Sequence, residues 1–101
     1  HSDSVCSSYL DLDKIEAGAG RLVVRSRRQG DYMRPLGMKG RKKLQDLFVD
    51  EKIRKEERDR IPLVCIGPEV LWIAGTFRIS ENYKVEESTE RIIRLEYKAK
   101  T

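Results

Sequence analysis

A run of cations and glycines in the first half of the chain has the residue types best suited to chemistry. Between positions 34 and 43 the basic residues occur without a single acid, and they are Arg34, Lys39, Arg41, Lys42 and Lys43. Just upstream lie Arg25, Arg27 and Arg28. Guanidinium and ammonium groups neutralise phosphate oxygens, and the interspersed Gly30, Gly37 and Gly40 let a backbone approach closely. The segment, here called the basic loop (residues 27–41), therefore predicts binding of a polyanion.

The distribution of charge supports the same interpretation. The net charge is +4 at pH 7, but residues 21–60 hold fourteen basic against seven acidic residues, whereas residues 1–20 are acidic and residues 61–101 are balanced. A positive field confined to one segment indicates an anionic partner. Composition alone leaves a solvated basic face and a nucleic-acid site about equally favoured.

Aromatic and sulfur-containing residues near the loop have two possible roles. Tyr32 and Tyr83 lie beside turns and charges, and either could stack on a base or pack internally. Trp72 lies in an apolar run, which favours the core. Met33 and Met38 flank the loop and are expected to fill gaps between other side chains.

Candidate residues for catalysis or metal binding are few. His1 is the only histidine, so no Cys/His cluster of the kind zinc needs is predicted. Asp46 and Asp50 share a helix face, and Glu51 follows, but a solvated face is favoured over a metal site. No Ser or Cys occurs in a nucleophile motif, which leaves acid–base and covalent catalysis without obvious residues. We therefore expect no catalytic residue, no metal and no cofactor in this chain.

The cysteines and the apolar runs bear on the cellular setting. Cys6 and Cys65 lie far apart and are interpreted as reduced thiols, with Cys65 in the core; a disulfide between them is the less favoured alternative. No apolar run approaches the ~20 residues of a membrane span, and no signal peptide is visible. The sequence predicts a cytoplasmic protein without membrane contact, and its opening residues suggest a fragment of a longer chain.

The elements around the loop are expected to form an α+β domain: a small single domain, residues 1–101, with mixed or antiparallel strands and two short helices after the basic loop. Leu44, Leu47 and Phe48 have helical spacing and predict a helix over 42–52, followed by a short one over 55–60. A flexible turn is expected at 16–20. Strands are expected where apolar residues alternate or run between turn signals, at residues 5–12, 21–26, 63–66, 70–74, 76–79, 83–85 and 93–98.

The loop itself carries three local signals. Pro35 and Gly37 predict a type I turn over residues 34–37. Lys42 and Lys43 at the predicted helix start oppose the helix dipole, at a cost of ~0.3–1 kcal/mol, which a docked polyanion would remove. Residues 37–40 match the G-x-x-G loop of KH domains, which clamps a nucleic-acid backbone. A KH loop joins two helices, so an independent KH-like RNA-binding module is a minor alternative.

Four sequence blocks resemble, in order, the C-terminal domain of bacterial tRNA(Ile)-lysidine synthetase. The first is G-D-Y-M-R-P-L-G-M-K-G-R-K-K-L-Q-D-L-F at residues 30–48. The others are E-R-D-R-I-P-L-V at 57–64, L-W-I-A-G at 71–75 and E-N-Y-K-V at 81–85. The resemblance covers about residues 21–97. Arg54-Lys55 departs from the Pro-[RK] common in that family, which puts in doubt only the turn between the two helices.

The resemblance implies a role for a longer parent enzyme. In that family the complete ligase uses ATP, with Mg, to adenylate the wobble cytidine of tRNA(Ile), and lysine then displaces AMP to form a C–N bond. The S-G-G-x-D-S loop of the catalytic domain does not occur here. This chain therefore resembles only the recognition end, which holds the acceptor stem. The implied partners are tRNA(Ile) and the catalytic and middle domains of the parent; a homodimer is left open.

The candidate tRNA-binding residues follow from the charge pattern and the resemblance together. The stronger candidates are Arg34, Lys39, Arg41, Lys42 and Lys43, and the weaker ones are Arg28, Arg58, Arg60 and Arg78. Asp31 is expected to cap the loop by accepting backbone hydrogen bonds. In a rival hypothesis the basic loop is a scaffold that docks on another protein or on the parent's catalytic domain.

Overall fold

The fold is an α+β arrangement, as predicted, in a computed structural model that describes residues 4–18 and 20–99. Its elements, in chain order, are β1 (Ser4–Asp11), α1 (Leu12–Ala17), β2 (Leu22–Arg25), β3 (Tyr32–Met33), β4 (Lys42–Lys43), α2 (Leu44–Asp50), a 3-10 turn (Lys55–Glu57), β5 (Leu63–Ile66), β6 (Glu69–Ile73) and β7 (Ile92–Ala99). The strands at 5–12, 21–26, 63–66, 70–74 and 93–98 are confirmed to within about two residues at each end.

The strands form two sheets. β1 and β7 make an antiparallel pair in which Ser4 lies opposite Ala99 and Asp11 opposite Ile92. The larger sheet has the order β2-β5-β6-β3-β4. Its neighbours are antiparallel except β3 and β6, which run parallel at Tyr32 and Glu69. The expectation of mixed and antiparallel strands is therefore confirmed.

The core lies on both faces of the larger sheet, because β6 is buried on both sides. On one face Val70 and Ile73 pack with Leu47 and Phe48 of α2. On the other, Leu71 and Trp72 pack in two clusters that include Leu10, Ile15 and partly buried residues of β7. Leu44, Leu47 and Phe48 are all buried, as their helical spacing predicts. Trp72 belongs to the core, as expected, and its indole Nε1 donates to the carbonyl of Thr76 (2.9 Å).

Both cysteines are free thiols, as predicted. Cys65 is buried in the core cluster of α2, and burial raises its pKa to about 11. Because the thiolate is the reactive form of cysteine, Cys65 is an inert packing residue.

The helix predictions need three corrections. The sequence predicts a turn at 16–20 and no helix before it, whereas the structure has α1 there. This helix begins because the Asp11 carboxylate accepts the Lys14 backbone N–H (3.0 Å). The predicted helix over 42–52 starts only at Leu44, since residues 42–43 pair with β3, and it ends at Asp50. Its end is fixed by Lys52, whose φ of 57° is left-handed and closes a Schellman motif with the Ile53 N–H on the Phe48 carbonyl. In place of the predicted helix over 55–60, the structure has a single 3-10 turn, Lys55–Glu57.

The predicted strands over 76–79 and 83–85 are also wrong. Only isolated bridges occur, between Trp72 and Ile79 and between Pro35 and Ser80. For residues 76–79 the reason is local, because Thr76 folds the chain back through two hydrogen bonds. Its hydroxyl donates to the Ile73 carbonyl (2.8 Å) and accepts the Arg78 N–H (3.0 Å), and such side-chain bonds compete with strand pairing.

A buried ion pair fixes the start of the basic loop. The Arg25 guanidinium donates to both Asp31 carboxylate oxygens, at 2.9 and 2.8 Å, and their side chains are 10% and 2% exposed. Asp31 also accepts the Arg28 backbone N–H (2.8 Å), which confirms its predicted capping role. Arg25 reaches the Gly67 carbonyl as well (2.8 Å), so one residue ties β2, the loop and the β5–β6 turn together.

Replacing Asp31 with Asn should therefore destabilise the domain strongly. The change leaves the Arg25 charge buried without its partner, which typically costs about 3–5 kcal/mol. Thermal or denaturant unfolding measures the loss. The matched control is Asp59→Asn, which breaks the exposed Arg27–Asp59 pair and should cost at most about 1 kcal/mol. Equal costs for the two variants would show that the buried pair has no special weight.

Candidate nucleic-acid interface

The tip of the basic loop is held against the segment that follows β6. The Leu36 N–H donates to the Ile79 carbonyl (2.9 Å), and the Glu81 N–H donates to the Arg34 carbonyl (2.7 Å). The turn differs from the predicted type I turn over 34–37. It spans residues 35–38, because the Met38 N–H donates to the Pro35 carbonyl (3.0 Å). Gly37 takes its third position with φ of 79°, which is the pattern of a type II turn.

The pairing of β3 with β4 decides where the neighbouring lysines point. Tyr32 lies opposite Lys43, and Met33 lies opposite Lys42. Directly opposite residues share one face of a sheet, and successive residues alternate between faces. Met33 is fully buried, so Lys42 lies on the side of α2 and forms an ion pair with Asp50. Lys43 lies instead on the same face as Tyr32, opposite to that of Met33 and Lys42.

An open groove of about 710 Å³ lies beside Tyr32 and Lys43. It is lined by residues from both ends of the basic loop and from α2. Its cationic lining residues are Arg27, Arg28, Arg41 and Lys43. Its other lining residues are Gln29, Gly30, Asp31, Tyr32, Leu44, Gln45, Phe48 and Asp59. We call this concavity the basic groove.

Three cations of the basic groove remain available to an anion. Arg28, Arg41 and Lys43 form no ion pair with any other residue that the structure describes. Arg27, by contrast, is paired with Asp59 (2.7 Å) at the protein surface. Asp31 is the other acidic residue of the lining besides Asp59, but its carboxylate is already bound by Arg25. The groove therefore presents a net positive field, and it can bind phosphate oxygens.

One cation of the groove is held by an aromatic ring. The Arg41 guanidinium carbon lies 3.9 Å from the centre of the Tyr32 ring, well within cation–π range. Arg34 is farther from the same ring, at 6.0 Å, and its Nε lies 3.8 Å from a Glu69 carboxylate oxygen. Neither of those two atoms has a hydrogen-bond partner among the described residues. Tyr32 thus orients Arg41, whereas Arg34 is partly neutralised by Glu69.

The structure scatters the remaining candidates. Lys39 is exposed at the loop tip and Arg60 is exposed beyond the 3-10 turn, and neither lines the basic groove. Arg58 is buried, donates to the Ile53 carbonyl (3.0 Å) and lies over the Phe48 ring, so its role is packing. Arg78 is paired with Glu51 (2.7 Å). Of the nine predicted residues, the groove brings together Arg28, Arg41 and Lys43.

Sequence reasoning missed the polar residues of the groove. Gln29 and Gln45 line it, as does Arg27, which was noted only as a neighbour of the loop. No pattern in the sequence singles out a lone glutamine. The ladder between β3 and β4 and the hydrogen bond from the Leu44 N–H to the Asp31 carbonyl bring residues 27–32 next to residues 41–48.

Two alternatives receive no support from the geometry. The G-x-x-G of residues 37–40 lies between β3 and β4 and not between two helices, which contradicts the KH arrangement. The second alternative is a metal site on the helix face of Asp46 and Asp50 with Glu51. The carboxylates of Asp50 and Glu51 are instead paired with Lys42 and Arg78, respectively.

Across residues 4–18 and 20–99, no helix is long and apolar enough to cross a membrane.

Comparison with known proteins identifies relatives of one kind. A family model described as the TilS substrate C-terminal domain matches residues 22–97. The tRNA(Ile)-lysidine synthase of Caldanaerobacter subterraneus subsp. tengcongensis is 51% identical over 89 residues, which are 88% of this chain and 18% of that protein. The corresponding protein of Clostridium tetani is 49% identical over 87 residues, 86% of this chain and 18% of its own length. The chain thus spans under a fifth of these relatives.

A solved structure shares the fold. A crystal structure described as the TILS C-terminal domain superposes with a TM-score of 0.69 at 30% sequence identity. The superposition covers 91% of this chain and 68% of that one.

Attachment of the loop tip should respond to acid. The Gly37 N–H donates to the Glu81 carboxylate (2.9 Å), and this bond, together with the Lys84 ammonium, holds the pKa of Glu81 below its ordinary value of 4.5. A lowered folded-state pKa stabilises the fold above pH 4.5, and the stabilisation is lost as pH falls through the lowered value. The Gly37 amide resonance in NMR spectra should therefore titrate with a midpoint below 4.5. Glu81→Gln should abolish the titration, and a wild-type midpoint at or above 4.5 would contradict the bond.

Proposed function

Because the chain belongs to the family of tRNA(Ile)-lysidine synthase C-terminal domains, we propose that it is the tRNA-gripping part of such a synthase and holds the acceptor stem. The membership confirms the family expected from the four sequence blocks. The observation that carries the proposed role is the basic groove, where Arg28, Arg41 and Lys43 face one concavity without carboxylate partners. These residues are apart in the sequence, and the pairing of β3 with β4 brings them together in space.

An RNA stem matches this charge arrangement. A duplex presents a regular array of phosphates and 2′-hydroxyls, and it is recognised mostly through backbone contacts. Arg28 and Arg41 can each hold two phosphate oxygens in a bidentate fork, while Lys43 provides a compact point charge. Three such contacts would make the logarithm of the binding constant fall with the logarithm of the salt concentration with a slope of about 2–3, since each neutralised phosphate contributes ~0.7–0.9. We call this the salt slope.

The domain's proposed role is recognition and not the reaction. The chain spans under a fifth of the named synthases, and we assign adenylation with ATP and transfer of lysine to the remainder of a full-length protein. In this view the C-terminal domain lowers the dissociation rate of tRNA(Ile) while the distant wobble base reacts. The proposed location is the cytoplasm, where tRNA modification takes place.

The proposal predicts salt-dependent binding of the 101-residue chain to an acceptor-stem RNA hairpin, measured by fluorescence anisotropy at several salt concentrations. Lys43→Ala should lower the affinity about tenfold, because a hydrogen bond to a charged group contributes about 1.5–3 kcal/mol, and it should reduce the salt slope by about one. Arg28→Ala should behave in the same way.

The matched control is Lys98→Ala. Lys98 is exposed on β7, opposite Val5, and its loss should leave the affinity within about twofold, since it lies in the other sheet. Affinity that is independent of salt, or equal losses in the control and the groove variants, would overturn the assignment of the basic groove.

An exposed apolar concavity favours a second candidate function, docking on another part of the synthase. Tyr9, Leu36, Phe77 and Val85 line it, and the Phe77 side chain is 93% exposed. Large apolar side chains clustered at a surface mark interaction sites more often than chance. The proposed occupant is a segment of the same full-length chain, because more than four-fifths of the relatives' length lies outside this domain.

Phe77→Ser tests the docking candidate. In the 101-residue chain the melting temperature should stay unchanged, since the ring has almost no contacts to lose. In a full-length synthase the same change should speed protease cleavage between this domain and the rest, whereas the control Val49→Ser, 59% exposed on α2, should not. Unchanged cleavage would contradict docking, and so would a dimer of the 101-residue chain that Phe77→Ser dissociates, because the occupant would then be a second copy.

A further inference from the structure

The basic groove has features that contact with a duplex backbone does not require. Beside its cations it contains an aromatic ring and two amide side chains. From these features we infer that the groove binds one unpaired nucleotide of the RNA, adjoining the stem, with its base stacked on the Arg41 guanidinium. The inference rests on the proposed RNA-binding function and names the part of the RNA that enters this groove.

The first argument is the stacking surface. Arg41 lies over the Tyr32 ring at 3.9 Å, and this cation–π contact favours that position of the guanidinium by about 0.5–1 kcal/mol at an exposed site. Arg41 is exposed, and it remains accessible from the groove. A base accepts a guanidinium plane as readily as an aromatic ring, because every base has a π face. The result would be a layered stack of Tyr32, Arg41 and the base.

The second argument is the size and lining of the groove. Its volume of about 710 Å³ lies within the range of about 300–1,000 Å³ that is typical of small-ligand pockets. Leu44 and Phe48 form the floor of the groove but are buried in the core, so the exposed side chains of the groove are polar or charged. Gln29 and Gln45 are exposed at the groove, and an amide offers both a donor and an acceptor to a base edge. In a duplex those edges are already paired.

The third argument is the position of the other charges. Arg28 and Lys43 line the same groove as Arg41 and come from opposite ends of the basic loop. A nucleotide whose base occupies the groove has a phosphate on either side, and these two cations can bind one each. The groove thus provides separate places for a base and for its flanking phosphates.

The experiment uses three RNA probes with the 101-residue chain: a blunt stem hairpin, the same hairpin with a short single-stranded 3′ extension, and a free nucleoside monophosphate. The extension should raise the affinity about fivefold or more, because stacking of one base contributes that much to binding. The fluorescence of a 2-aminopurine placed in the extension should be quenched on binding, as stacking requires. The free monophosphate should bind far more weakly than the extended hairpin.

The decisive variant is Arg41→Lys, which keeps the charge and removes the guanidinium plane. It should abolish the quenching and bring the ratio of affinities for the extended and the blunt hairpin close to one, whatever the loss of a phosphate contact does to both affinities alike. The matched control, Arg28→Lys, also keeps its charge and should retain the gain. A third variant, Tyr32→Leu, removes the support beneath Arg41 and should reduce the gain as well.

The outcomes separate the inference from the function on which it rests. If both hairpins bind equally, or if Arg41→Lys keeps the gain, the nucleotide site is wrong but stem binding survives. If neither hairpin binds, the proposed function fails, and the inference fails with it. A free monophosphate that binds as tightly as the extended hairpin would also overturn the inference, because the groove would then be a site for free nucleotides.

Discussion

The buried pair of Arg25 and Asp31 is the interaction on which the rest of the site depends. It removes two charges from water, and additional hydrogen bonds offset that cost, from the Arg28 N–H to Asp31 and from Arg25 to the Gly67 carbonyl. The backbone of Asp31 also accepts the Leu44 N–H (3.1 Å). A single residue, Asp31, thus aligns β2 and the basic loop through its carboxylate and the beginning of α2 through its backbone carbonyl. The walls of the basic groove keep their spacing for this reason.

Strand pairing then sorts the cations by face. Five basic residues within ten positions look equivalent in sequence, yet the short ladder between β3 and β4 directs Lys43 to the groove and Lys42 to Asp50. Carboxylates form ion pairs with cations that do not line the groove, as Glu69 does with Arg34 and Glu51 with Arg78. The chain therefore keeps a modest net charge while leaving one concavity strongly positive. The position of the positive surface is therefore determined by which cations lack a carboxylate partner, more than by how many cations there are.

Much of this could be predicted from the sequence, and the failures have physical causes. The apolar spacing of α2, the apolar runs of β5 and β6 and the alternation in β7 are local patterns, which the sequence records directly. The position of the basic loop followed from composition and from its resemblance to one family. The groove itself could not be predicted, because it depends on a two-residue ladder and on the Arg27–Asp59 pair, whose residues are 32 positions apart. The end of α2 was missed because Lys52 adopts a conformation usually left to glycine.

The pairing of Ser4 with Ala99 has a consequence for how such a domain can be engineered. Adjacent antiparallel strands place these two positions a few ångströms apart, so a short peptide could join them without disturbing either sheet. New ends could then be opened in an exposed surface turn, such as the one at residues 86–90. Circularly permuted chains of this kind commonly keep their fold when the cut lies at an exposed turn. The order of elements along the chain is thus separable from the shape that they build.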